Sequence, residues 1–156
     1  LYKVKPTIRH SYFDRYKLYL RKEGCSINVI EKDIAPTCEK ILARCANPKC
    51  ESKHEQKRGL VVGDVQSGKT ANYLGLINMA CDYGYKIIVL LAGMTDSLRQ
   101  QTQSRVDTGF IGAISDTMSD AVITYVGVND DAQIPKNYAV PLTNNENDFV
   151  KDNLGR

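Results

Sequence analysis

Over the first third of the chain the apolar positions recur with a helical period. From Arg9 to Lys22, Tyr12, Tyr16, Tyr19 and Leu20 fall three or four apart, the spacing of one helix face, and Gly24 is placed to stop the helix. Ser26 is a cap for a short helix carrying Ile27 and Ile30. Asp33, with Pro36 three residues on, reads as a second start, because a proline is tolerated where a first-turn amide has no intrahelical acceptor. Ile34, Cys38, Ile41, Leu42 and Cys45 then line one face until Asn47-Pro48 ends it. Lys49 to Lys57 is polar and reads as a loop, so residues 1–57 form a helical N-terminal segment.

The pattern changes at Arg58. Leu60-Val61-Val62 reads as a short strand, Gly63 to Thr70 as a glycine-bounded loop, and a helix runs on to Tyr83 with Gly84 as its stop. Ile87 to Ala92 is apolar without alternation, as in a parallel strand covered on both faces. Thr95 or Asp96 caps a further helix with Leu98, Thr102 and Val106 on one face and Gly109 at its end. Residues 121–128 and 138–142 read as two more strands, and the tail from Asn129 as loop. The order predicts an α/β fold: a parallel sheet flanked by helices, of P-loop NTPase type, behind the small helical segment. With no initiator Met ahead of Leu1, the chain is expected to be a piece of a longer protein carrying an incomplete domain.

Composition narrows the class. Hydrophobic residues make up 42% and charged residues 25% of 156 residues, the balance of one globular domain. The longest apolar run, Ile87 to Ala92, is far short of the ~20 residues of a membrane span. No secretory apolar region opens the chain, and the 5 cysteines are an odd number, read as reduced thiols in a cytoplasmic protein. The net charge of +3 is unevenly spread. Residues 1–22 carry 7 Lys or Arg against Asp14, interleaved with Tyr12, Tyr16 and Tyr19. That is either a solvated helix face or a surface for nucleic-acid phosphates and bases. Residues 114–156 carry 7 acids.

The strongest chemical signal is Gly63-Asp64-Val65-Gln66-Ser67-Gly68-Lys69-Thr70, which fits G-x-x-x-x-G-K-[ST] (the Walker A form) at every fixed position. Glycines let the chain approach a phosphate, and the loop amides with the following helix N-terminus make an anion nest. Lys69 is expected against the β- and γ-phosphates of ATP, and the Thr70 hydroxyl on Mg²⁺. A chance match in a chain this long is on the order of half a per cent. For the carboxylate that hydrolysis also needs, Asp130 and Asp131 are the local candidates, more simply read as turn residues. Cys38, Cys45, Cys50 and His54 have a loose zinc spacing, but Cys38 and Cys45 share the apolar face with Ile41 and read as core. A phosphotransferase, expected to bring an Arg-rich lid, is disfavoured by the Arg-poor stretch 113–156.

Arg58 to Tyr73, with Val-Gln-Ser between the glycines and Ala-Asn-Tyr after them, resembles the Z-one domain family. These are bacterial proteins assigned as endonucleases and coupled to a superfamily-two helicase-like ATPase region. The likeness continues through Gly84 to Gly93 and Leu98 to Arg105, strongest over 58–112 and weaker over 10–150. The resemblance implies that 58–156 is the first part of a helicase-like domain, an ATP-binding hydrolase acting in bacterial DNA repair or restriction. It further implies that Gly93, Thr95, Arg99 and Gln101 touch a nucleic-acid backbone, and that DNA and other repair or restriction proteins are partners. No Asp-Glu box, arginine finger or second lobe lies within the chain, and the family's nuclease region is expected beyond Arg156. The chain alone is therefore expected to bind nucleotide without turning it over, the alternative being a nucleotide-regulated DNA-binding module without catalysis.

Overall fold

The computed structural model describes residues 12–49, 56–63, 68–91, 93–118, 122–130 and 139–146. Five α-helices are described: α1 (Tyr12–Lys22), α2 (Ile27–Val29), α3 (Ala35–Leu42), α4 (Lys69–Tyr83) and α5 (Asp96–Val106). The chain divides into two compact units, Leu1–Ile88 and Val89–Arg156.

In the first unit, α1 and α3 both pack on α4. Phe13, Tyr16 and Leu20 of α1, Cys38 and Leu42 of α3, and Leu74, Ile77 and Ala80 of α4 are buried together with Ile30 and Ile34. The close approach is made at Gly75. A Cβ there would lie 3.1 Å from Cys38 Sγ, 3.3 Å from Ile34 Cγ2 and 3.4 Å from Phe13 Cε2, so the bare backbone of α4 serves as the groove for both neighbours. The N-terminus of α1 is closed from a distance. The Asp82 carboxylate accepts from Tyr12 N at 2.8 Å and Phe13 N at 2.9 Å, supplying acceptors to amides that the helix leaves without one.

The Ser26 cap forms as expected, its hydroxyl accepting from Val29 N at 3.3 Å. The helix start at Asp33 does not. α2 runs through a π-turn, Ile30–Ile34, straight into α3, and Ala35 N donates to Ile30 O. The wider turn is the physical answer to Pro36, whose ring would meet the carbonyl four residues back in an unbroken α-helix. At the far end of the unit Gly84 (φ 104) stops α4, with Gly84 N and Tyr85 N both donating to Ala80 O at 3.1 Å.

In the second unit α5 does not end at Gly109. It passes into a π-turn, Asp107–Ile111, closed by Gly112 N on Asp107 O at 2.7 Å. Phe110, Ile111, Ala113, Met118 and Val128 are buried beside it. Residues 143–145 are strapped across α5. Thr143 Oγ1 donates to Gln103 Oε1 at 2.7 Å, Arg99 donates to the carbonyls of Asn144 and Asn145, and Asn145 Nδ2 reaches Asp116 Oδ2 at 2.7 Å.

Among the described residues the expected parallel sheet, and with it the P-loop NTPase-type α/β fold, is not formed. Among the described residues there is no strand, only an isolated antiparallel bridge between Ala113 and Tyr125. The segments expected as strands, Leu60 to Val62 and Ile87 to Leu91, lie unpaired and exposed, Leu60 at 88% and Leu91 at 90%. Of 121–128, residues 124–126 contribute the bridge and Gly127–Asn129 turns into a 3₁₀-helix; residues 139–142 are irregular. The reason lies in what strands need. A continuous apolar run is equally consistent with several structures, and a strand is stabilised by its ladder partners and same-face neighbours rather than by propensity. The described part of the fold is helical. No described helix is long and apolar enough to cross a membrane.

Candidate functional site

Of the residues expected to form a phosphate loop, Gly63, Gly68, Lys69 and Thr70 are described; Asp64, Val65, Gln66 and Ser67 lie outside the described residues. Gly68 is the N-cap of α4 in the left-handed conformation, φ 70 and ψ 25. A Cβ there would meet nothing within 4 Å, so it is the backbone angle, not crowding, that calls for glycine. Lys69 and Thr70 occupy the first turn, Lys69 exposed and Thr70 half-buried. Gly68 brings no side chain to cap that turn, whereas α5 is capped by Thr95, whose hydroxyl accepts from Leu98 N at 3.4 Å. The turn therefore presents backbone N–H groups and the positive end of a 15-residue helix beside a lysine and a hydroxyl.

Two helices, α1 and α3, and a side chain of α4 itself hold this turn. Asn72 Nδ2 donates to Gly68 O at 3.3 Å, Tyr16 OH of α1 to Ala71 O at 3.1 Å, and Cys38 Sγ of α3 to Asn72 O at 3.4 Å. Tyr16 is 1% exposed, and burial drives its phenol above the usual range. The Cys38 thiol is likewise raised to about 11 by burial. Both are neutral donors at physiological pH and act as fixed hydrogen-bonding parts. The sequence pattern marks Tyr16 and Cys38 only as members of apolar faces, and nothing in it singles out Asn72.

Of the basic, tyrosine-bearing front, Lys3, Lys5 and Arg9 lie outside the described residues, and in the described part Arg15 and Tyr16 face inward. Arg15 is 1% exposed, its guanidinium 4.8 Å from the Tyr12 ring centroid, and burial lowers its pKa. Lys17 pairs with Asp14 at 3.2 Å and Glu31 at 3.4 Å. Arg21, Lys22 and Leu18 remain at the surface.

The residues matched to nucleic-acid contact all sit in the second unit. Gly93 and Gln101 are exposed, Thr95 is exposed and caps α5, and Arg99 holds the carbonyls of Asn144 and Asn145. Behind them is a buried cluster that the sequence reading passed over. Asp107 Oδ1 accepts from Gln103 Nε2 at 2.9 Å, and Oδ2 accepts from both Ser115 N and Ser115 Oγ at 2.9 Å. Burial raises the Asp107 pKa, and these donors pull it back only in part. Its one sequence signal is the i,i+4 spacing of Gln103 and Asp107.

Among the described residues no group of three His, Cys, Asp or Glu side chains is gathered to hold a metal ion. Asp130 is exposed at the end of a 3₁₀-helix, and Asp131 lies outside the described residues. Of the loose zinc spacing, Cys38 is buried and Cys45 exposed with its thiol on Ile41 O at 3.5 Å, while Cys50 and His54 lie outside the described residues. The Thr70 hydroxyl lies in the first turn of α4 beside Lys69. Compared with known proteins, the chain matches no family model, no curated protein and no solved structure.

Proposed function

We propose that residues 63–70 bind the phosphates of Mg-ATP, and that the chain is the nucleotide-binding part of a bacterial DNA-processing ATPase related to the Z-one domain family. The observation that carries the reading is Gly68 in the left-handed conformation at the start of α4. With it, Lys69, Thr70 and the first-turn amides share one helix end, where an anion is favoured by N–H donors and dipole together. Lys69 supplies a point charge for the terminal phosphates and Thr70 a hydroxyl for the metal. Gly63 to Thr70 in the required order is the independent sequence argument. The DNA-processing part rests on the resemblance, with Thr95 exposed at the N-cap of α5 and Gln101 exposed on α5 as the residues for a nucleic-acid backbone.

Isothermal titration of Mg-ATP into the chain tests the nucleotide reading. Lys69→Ala should weaken binding by about tenfold or more while circular dichroism stays unchanged, since a charge-assisted contact to phosphate is worth about 1.5–3 kcal/mol. Equal affinities would show that Lys69 meets no phosphate.

A further inference from the structure

The Gly68 carbonyl takes two donors from one residue: the Asn72 backbone N–H at 3.1 Å and the Asn72 side-chain Nδ2 at 3.3 Å. The other end of that side-chain amide, Oδ1, is buried and has no hydrogen-bond partner among the described residues. A buried acceptor without a donor is a cost to the fold, and asparagine is a poor residue for a helix interior. An apolar side chain at this half-buried position would carry neither penalty. Packing therefore gives no reason for asparagine here, which directs attention to the one bond it makes.

That bond has a geometric consequence. In a planar trans peptide the carbonyl and the following N–H point in opposite directions. Holding Gly68 O along the helix, toward Asn72, turns the Lys69 N–H the other way, out of the N-terminus of α4. Glycine is the residue least able to hold such an orientation by itself, because its backbone is the freest. The turn that bears Asn72 is itself held, by Tyr16 on Ala71 O and Cys38 on Asn72 O, so the constraint is anchored to a packed helix pair rather than to a loop.

We propose that Asn72 is a positioning residue for the phosphate site: its side-chain amide locks the Gly68 peptide and thereby aims the Lys69 amide at the bound anion. The inference rests on the nucleotide reading above and assigns Asn72 no contact with the ligand. The protein holds the control for it. Thr102 Oγ1 donates to the carbonyl four residues back, Leu98 O, at 2.8 Å, and Thr108 Oγ1 does the same to Ser104 O at 3.0 Å. A threonine at position 72 can thus restore a donor to Gly68 O, and a valine of the same shape cannot.

The experiment titrates Mg-ATP into the full chain carrying Asn72→Val, Asn72→Thr or Lys69→Ala, with thermal melts on each. Asn72→Val should raise the dissociation constant about tenfold, Asn72→Thr should stay within about threefold of the parent, and the melting temperature of Asn72→Val should equal or exceed the parent's. Parent-like affinity in both Asn72 variants, with Lys69→Ala weakened, overturns the positioning role and leaves the nucleotide reading standing. So does loss of affinity in both, or a loss in Asn72→Val matched by a lower melting temperature, which marks a structural part. Parent-like binding by Lys69→Ala removes the nucleotide reading and this inference with it.

Discussion

Asp107 is a carboxylate whose surroundings disagree about its charge. Three donors from Gln103 and Ser115 favour the ionised form, burial disfavours it, and burial wins, so its folded pKa lies above the unfolded value. A group shifted in this direction binds its proton more tightly folded than unfolded. Its contribution to stability is complete below the unfolded pKa and is lost as pH rises through the folded one. The difference in unfolding free energy between the parent chain and Asp107→Asn should therefore move in the parent's favour as pH falls from 7 toward about 4. Urea titrations across that range measure it, and a difference independent of pH would mean that Asp107 is not shifted. Residues of this kind were hard to read from the sequence. Gln103 and Asp107 look like surface positions of a polar helix, and the return of Ser115 and Thr143 against them makes them interior.

Among the helices, the junction of α1, α3 and α4 turns on Gly75. A valine there has no room against Cys38, Ile34 and Phe13, and Gly75→Val should destabilise the first unit by about 1–3 kcal/mol, the usual range for overpacking. Adding Cys38→Ala removes the nearest obstructing atom, so the double variant should recover part of that loss; chemical denaturation of the four-member cycle measures the coupling. Simple additivity would place the contact elsewhere. The helix ends show how far local chemistry reaches. Ser26, Thr95, Gly24 and Gly84 act as caps and stops where their residue types indicate. Asp33 and Gly109 do not, because a π-turn carries each helix through them. One hydrogen bond of different span decides between a new helix and a continued one, and residue type does not encode that choice strongly.

At the scale of the whole molecule, two apolar runs stand at the surface of the described residues. Leu60, Val62, Ile87, Val89 and Leu91 are each at least 76% exposed. Apolar surface on this scale drives association, at roughly 25 cal/mol for each Å² withdrawn from water. The chain should self-associate, its sedimentation coefficient rising with concentration. Replacing Leu60, Val62, Val89 and Leu91 by threonine should suppress that rise without altering the helical circular dichroism. A concentration-independent coefficient in the parent chain would show that these runs drive no association.

The helices, most of their caps and the Gly63–Thr70 pattern could be read from the residues themselves because each depends on neighbours within a few positions: a face repeats every turn, a cap closes its own first turn, and Gly68, Lys69 and Thr70 are consecutive. Charge counts and apolar runs were equally plain, but their meaning was not local. Arg15 belongs to a basic stretch by sequence and to the interior by packing, because Asp82, 67 residues away, closes the same helix end. Leu60 to Val62 and Ile87 to Leu91 have strand-like composition and no ladder, since a strand exists only when a second segment supplies its hydrogen bonds. Asn72 was one polar residue among many until the fold placed its amide on the Gly68 carbonyl and left its oxygen without a donor among the described residues. What the chain meets within one helical turn was set by residue type, the π-turns at Asp33 and Gly109 apart, and what it meets across the core was decided only when α1, α3 and α4 closed on one another.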